Sequence, residues 1–206
     1  GLGDVYKRQP LDRVARPDRV AGFSRSGAFC WRRQRRRRRR RRPGLNSTAV
    51  TTLITVLVSG SGTLLQAILD NQSEAYRVAL VVADKPCPAL ERAERVGVPT
   101  RVVALGADRG AWDEKLAQAV AAGNPDLVVS AGFMRILGQA FLDRFQGKTV
   151  NTHPSLLPAF PGADAVGDAL AYGVKVTGCT VHFVDAGVDT GEIICLLYTS
   201  PSPRDG

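Results

Sequence analysis

The feature that most constrains this chain is a regular exchange of texture that begins at Thr51. Short apolar, β-branched runs alternate with stretches of helical composition. "TTLITVLVS" reads as a buried strand and "TLLQAILDN" as a helix. "RVALVVAD" reads as a second strand. "CPALERAERVG" reads as a helix with Pro near its start and Gly after its end. "PTRVVAL", "PDLVVSAG" and "KTVNTH" read as further strands, separated by the helices "RGAWDEKLAQAVAAG" and "GQAFLDRFQG". Strands joined through helices lie parallel, and near-continuous apolar strands are covered on both faces. The expected fold class is therefore α/β: a Rossmann-like, mostly parallel sheet with helices on both faces. Beyond Gly162, "AVGDALAYG" reads as a helix. The later part of "VKVTGCTVHFVD" alternates like a strand open on one side. "EIICL" starts another strand, where the pattern stops.

With 206 residues and 44% hydrophobic residues, one domain with a real core is expected. The four cysteines are scattered, without a C-x-x-C pair or a Cys/His cluster. Neither a disulfide framework nor a metal site is expected, and a cytoplasmic setting fits. No apolar run has the length of a membrane span. The net charge of +9 is unevenly placed, with 16 Lys/Arg against 3 Asp/Glu in residues 1–48 and 12 against 16 in the remainder. Like charges repel and little can be buried there, so residues 1–48 are expected to be a disordered Arg-rich segment. Such an arm binds nucleic acid only non-specifically, through the run "WRRQRRRRRRRRP". Arginine runs also arise from GC-rich DNA read in a wrong frame. "GLGDVYKRQ" at the start and "CLLYTSPSPRDG" at the end resemble translated sequencing adaptors. The expected organisation is a non-native segment 1–48, a folded domain 49–195 and a non-native tail 196–206.

"SGSGTLLQAI" joins the first strand to the first helix. Glycines there let a backbone approach an anion, and the helix start offers unpaired N–H groups. No Gly-Lys-Ser/Thr follows, so this is not a Walker A loop. Leu65 stands where a dinucleotide fingerprint needs its last glycine, although Asp84 lies near the distance expected of a ribose-binding acid. A single phosphate fits the loop better than a dinucleotide, with an NAD-type oxidoreductase as a distant alternative. In "VNTHPSLLPAFPG", Asn151 and His153 share one strand face just before Pro154 ends the ladder. Parallel α/β sheets bind ligands outside the carboxyl ends of their strands. Asn supplies a neutral donor and His a proton near neutral pH, a pair suited to polarising a carbonyl. His182, in "TVHFVD", receives no role. The glycine-rich "AGVDTGE" lets Asp189 turn toward His153. The triplet "DTG" alone does not make an aspartic protease, which needs two carboxylates and an all-β body.

"VSGSGTLLQAILD", "SAGFMRILGQAFLDRF", "NTHPSLLPAFPG" and "GCTVHFVDAGVDTGEII", in this order, resemble the phosphoribosylglycinamide formyltransferases, folate-dependent enzymes of de novo purine synthesis. The resemblance runs from about Thr51 to Ile194. It implies a formyltransferase fold whose last strand and closing helices are missing. It further implies formyl transfer from 10-formyltetrahydrofolate to the amine of 5-phosphoribosylglycinamide, in a monomer or a homodimer, with no metal. Its catalytic residues map onto Asn151, His153 and Asp189. Its phosphate loop maps onto Gly60, Gly62, Thr63 and Leu64. Its folate site maps onto Arg109, Met134, Arg135, Ile136, Leu137 and Asn151, with the loop Asp185, Ala186, Gly187, Val188 and Asp189. Leu64 departs from the family's polar residue and leaves only its N–H for phosphate. Asp164 and Val166 stand where a His is common, and Glu192 stands where a Pro is expected. The shortened C-terminal part leads to an expectation of impaired folding or turnover. The nearest alternatives are a formyltetrahydrofolate hydrolase or another formyl-transfer enzyme. A basic-armed nucleic-acid binder is more distant.

Overall fold

The computed structural model of this chain describes residues 51–198. Expectations placed on residues 1–48 and on 199–206 lie outside the described residues. The elements run β1 (Thr52–Val58), α1 (Thr63–Asp70), β2 (Tyr76–Ala83), α2 (Pro88–Arg95), β3 (Thr100–Val102), α3 (Arg109–Ala121) and β4 (Leu127–Ser130). They continue with α4 (Gln139–Phe145), β5 (Thr149–His153), α5 (Ala165–Tyr172), β6 (Gly178–Phe183) and β7 (Ile193–Tyr198). One seven-stranded sheet has the order β3-β2-β1-β4-β5-β6-β7. The first five strands pair in parallel, whereas β6 runs antiparallel to β5 and β7 antiparallel to β6. The sheet is thus mixed and mostly parallel, as expected.

Alternation within the strands feeds two cores. Ile54, Val56 and Val58 of β1 meet Leu65 and Leu69 of α1 and Ala89, Leu90 and Ala93 of α2 on one face. On the other face Leu57, Leu80, Val82 and Val128 meet Trp112, Leu116 and Val120 of α3 and Phe141, Leu142 and Phe145 of α4. β1 lies inside both cores, which is why its sequence is almost wholly apolar. β3 is shorter than "PTRVVAL" suggested. As the sheet's edge it pairs only through Thr100, Arg101 and Val102, and Leu105 beyond it is exposed. Asp164, out of place in the family pattern, has a local purpose. Its carboxylate accepts from Gly167 N at 3.1 Å and caps α5.

The expectation that the last strand is missing is corrected in one respect. β7 carries on past residue 195, and its ladder pairs Leu196 with Thr180, Leu197 with Cys179 and Tyr198 with Gly178. Chain order could not show this, because the ladder rather than the local pattern extends the strand.

β1 is flanked by β2 on one side and β4 on the other, so the direction of winding reverses there. The connections leaving β1 and β4 separate at this switch point and open a crevice between them. Gly62 fixes its first wall. It caps α1 in the left-handed region at φ 71°, and a Cβ there would lie 2.6 Å from Cβ of Ala89 in α2. Gly62→Ala combines left-handed strain with overpacking. It is expected to cost about 2–4 kcal/mol of stability, read as a fall in the urea midpoint; an unchanged midpoint would contradict this close approach.

Candidate functional site

β5 sets up the centre of the site. Asn151 and His153 lie on the same face, at the carboxyl end of the strand. His153 is buried. Its Nδ1 lies 3.3 Å from Asp189 Oδ2, and its Nε2 lies 2.8 Å from the carbonyl oxygen of Phe160. Both neighbours are acceptors, so only a doubly protonated ring donates at both nitrogens at once. The expected trio of Asn151, His153 and Asp189 is therefore brought together.

The loop after Pro154 is held from two sides. Ser155 Oγ donates to the carbonyl of Ala159 at 2.6 Å. Thr180 Oγ1, from β6, donates to the carbonyl of Ser155 at 2.7 Å and accepts from Leu157 N at 3.0 Å. This anchorage sets the Phe160 carbonyl against the imidazole. Phe160 and Asp189 both adopt left-handed backbone, with φ 52° and 55°. Aspartate tolerates that region and phenylalanine does so rarely, so the surrounding contacts must hold it there.

Asp189 is the hub. Oδ2 accepts from Gly162 N at 2.9 Å, and Oδ1 lies 3.5 Å from Asn151 Nδ2. Oδ1 also lies 3.5 Å from Nε2 of His182. His182, to which the sequence reading assigned no role, joins this cluster. It stands directly opposite Asn151 in the antiparallel β5/β6 pair and is buried. Its Nδ1 donates to the carbonyl of Phe183 at 2.8 Å, which leaves Nε2 toward Asn151 Nδ2 at 3.3 Å. The signal was present in the alternation of "CTVHF", which puts Thr180 and His182 on one face. What was lacking was the antiparallel partner that turns that face inward.

The glycine loop lies at the carboxyl end of β1, and β4 separates it from β5. Two sheet spacings put it about 10 Å from the Asn/His pair. Its carbonyls are tied back to α2. Ala89 N donates to the Gly60 carbonyl at 3.2 Å and Arg92 Nε to the Ser61 carbonyl at 2.8 Å. No side chain caps the start of α1 at Gly62 and Thr63. Carbonyls held on one side and an uncapped helix start on the other suit an anion. A Cβ at Gly60 would meet nothing within 4 Å, so this approach is open. Leu64 turns into an apolar groove with Ile54, Ile68 and Tyr76, which leaves only its backbone to the loop.

The expected folate residues divide. Met134 and Ile136 are exposed, at 63% and 62%, and form an apolar lip after β4. Leu137 is buried in the core beside Phe141, so its side chain is not part of that lip. Arg135 is half-buried and reaches back to the strand ends, with Nε 2.6 Å from Asp84 Oδ2. Arg109 lays its guanidinium over the Trp112 ring, 4.4 Å from the centroid, and donates to the carbonyl of Ile136. Asp185 folds its own loop, accepting from Gly187 N at 3.0 Å and Thr190 Oγ1 at 2.7 Å. That turn carries Ala186 and the partly exposed Val188 toward Asp189.

The dinucleotide alternative loses both its anchors. Asp84 is buried against Arg135 rather than offered to a ribose. Leu65, in place of the last glycine, is fully buried between α1 and the sheet. Among the described residues no group of three His, Cys, Asp or Glu side chains is placed to hold a metal ion. No described helix is long and apolar enough to cross a membrane.

Comparison with known proteins agrees with this geometry. The formyl transferase family matches residues 52–203. The chain is 57% identical over 145 residues to the phosphoribosylglycinamide formyltransferase of Mycobacterium tuberculosis, covering 68% of this chain and 67% of that protein. It is 41% identical over 145 residues to the Bacillus subtilis protein of the same name, covering 68% of this chain and 74% of that one. The crystal structure of glycinamide ribonucleotide transformylase 1 from Symbiobacterium toebii superposes with a TM-score of 0.72 at 46% identity, over 76% of this chain and 77% of that one. With sheet, crevice and matched relatives in agreement, this chain belongs to the formyl transferase family.

Proposed function

We propose that this chain is a cytoplasmic enzyme that moves a formyl group from 10-formyltetrahydrofolate to the amine of 5-phosphoribosylglycinamide in purine synthesis. The observation that carries the reading is His153 held between the Asp189 carboxylate and the Phe160 carbonyl, with Asn151 on the same strand face. The folate supplies the formyl group. The exposed apolar pair Met134 and Ile136, with Arg109 beside them, fits a flat heterocycle carrying an acidic tail. The uncapped start of α1 at Gly62 to Leu64, with the open approach at Gly60, receives the phosphate of the acceptor.

As the amine attacks, negative charge builds on the formyl oxygen. Asn151 Nδ2 donates to that oxygen. His153 Nε2–H, held in the resting site by the Phe160 carbonyl, transfers its hydrogen bond to the stronger acceptor. Asp189 keeps the imidazole oriented through Nδ1 and, through water, takes the proton that the amine must lose. The C–N bond to the folate then breaks as the oxyanion collapses, and its nitrogen takes up the proton that the amine gave to Asp189 and its water, so that tetrahydrofolate leaves neutral at that nitrogen.

Hydrolysis of the same folate is the competing reading, since the trio could equally direct a water. The anion-binding loop favours an acceptor that carries phosphate. Tetrahydrofolate release by the 206-residue chain, followed with and without 5-phosphoribosylglycinamide, separates the two. Release that requires the ribonucleotide supports transfer. Release at the same rate without it overturns transfer in favour of hydrolysis, and a chain that binds no folate overturns both.

A further inference from the structure

We infer that Asp84 is a positioning residue for the folate-facing lip, acting through Arg135 from outside the ligand site. The inference rests on reading Met134 and Ile136 as the wall against the folate ring.

Residues 131–138, between β4 and α4, form neither helix nor strand. The segment is pinned instead by four separate side chains. Ser59 Oγ accepts from Met134 N at 3.0 Å, and Asp113 Oδ1 accepts from Gly138 N at 2.8 Å. Arg109 donates to the carbonyl of Ile136, and Asp84 holds Arg135 at 2.6 Å. Three of these pins hold backbone. The fourth is the only one that holds a side chain, and it decides which way the lip faces. Along residues 133–137 burial alternates: Phe133 and Leu137 are buried, Met134 and Ile136 are exposed, and Arg135 lies between with its side chain 36% exposed. Tying Arg135 to the side of Phe133 and Leu137 leaves Met134 and Ile136 on the opposite, exposed side.

Asp84 comes from the end of β2, 51 positions before Arg135. Its side chain is 1% exposed, so it touches neither substrate in the proposed reaction. Its Oδ1 is buried with no partner among the described residues. The charge of Asp84 is thus balanced by Arg135 alone, and the pair is held short and fixed. Arg135 could not relax toward solvent without leaving a buried carboxylate uncompensated. That asymmetry makes the lip stiff, which is what a flat ligand face requires.

The test is Asp84→Asn in the full 206-residue chain. It keeps the shape of the side chain and removes the charge, so no buried anion is left behind. Calorimetric titration with 5-formyltetrahydrofolate, a stable folate, should show affinity weakened on the order of 10-fold. Titration with 5-phosphoribosylglycinamide should change by less than about twofold, because the bonds that tie down residues 60–64 come from Ala89 and Arg92, not from Asp84 or Arg135. Asp84→Glu, which restores the charge, should recover most of the folate affinity. Asp84→Asn combined with Arg135→Gln should bind folate no more weakly than Asp84→Asn alone, since both changes break one contact. Equal loss of both ligands, or folate affinity unchanged in Asp84→Asn, would overturn the inference. If the parent chain binds the ribonucleotide but no folate, the folate reading of the lip fails and the inference falls with it. If the parent binds folate and Asp84→Asn binds it equally well, only the inference fails.

Discussion

His153→Ala is expected to lower the rate of formyl transfer by on the order of 10²–10⁴-fold relative to the parent chain, the range for loss of a positioned general acid. Two geometrical facts make the loss large. Nε2–H is the hydrogen-bond donor that the ring presents beside Phe160, and the Ser155 hydroxyl, 3.3 Å from the same carbonyl, is no acid near neutral pH and does not replace it. Asn151 remains, but its amide carries no ionisable proton. The change also removes a buried ring that contacts Asp189. Thermal unfolding should therefore accompany the kinetics, so that loss of fold is not read as loss of chemistry. With the protein folded and both substrates saturating, a rate within tenfold of the parent would remove His153 from the chemical step.

Asp189→Asn should reduce transfer by a comparable factor, on the order of 10²–10⁴-fold, by analogy with other sites in which a carboxylate orients a histidine. Asparagine occupies the left-handed region as readily as aspartate, so the backbone at φ 55° is left undisturbed. The fault is in the hydrogen bonds. The carboxylate accepts from Gly162 N and faces His153 on Oδ2, while Oδ1 faces Asn151 and His182. An amide supplies one acceptor and one donor, so in either orientation its NH₂ faces another N–H. The Gly162 N–H is thrown into conflict in one orientation and the Asn151 NH₂ in the other. Steady-state rates with intact folate affinity would assign the loss to the chemical step. A loss confined to the folate KM would instead make Asp189 a binding residue.

β1 and β2 were the most legible strands because they are buried along most of their length, and burial writes itself into sequence as apolar runs. The edge strand β3 was read too long, since "PTRVVAL" has the composition of a strand but only one neighbour to pair with. The Asn151/His153 pair was legible for a different reason: spacing of two in a strand fixes a common face. His182 was not, because its role depends on standing opposite Asn151 across a ladder, and local periodicity does not give pairing direction. Arg135 was read with its exposed neighbours, whereas its buried partner Asp84 lies just past the end of β2. Leu137 was grouped with Met134 and Ile136 through the family resemblance, and its side chain lies in the buried cluster that holds Phe141. In irregular segments, contacts made across the fold decide where each side chain points.

The left-handed backbone at Asp189 has a consequence for how this position can change over time. The proposed reaction needs a carboxylate of one particular reach on a residue that accepts φ 55°. Glutamate keeps the charge but favours other backbone regions and places its oxygens one carbon farther out. Asparagine and glycine keep the turn and give up the charge. Each single exchange thus satisfies one requirement and breaks the other. Leu64, whose backbone is the part that faces the loop, stands in the opposite situation: its side chain is free to vary so long as its neighbours in the groove can adapt.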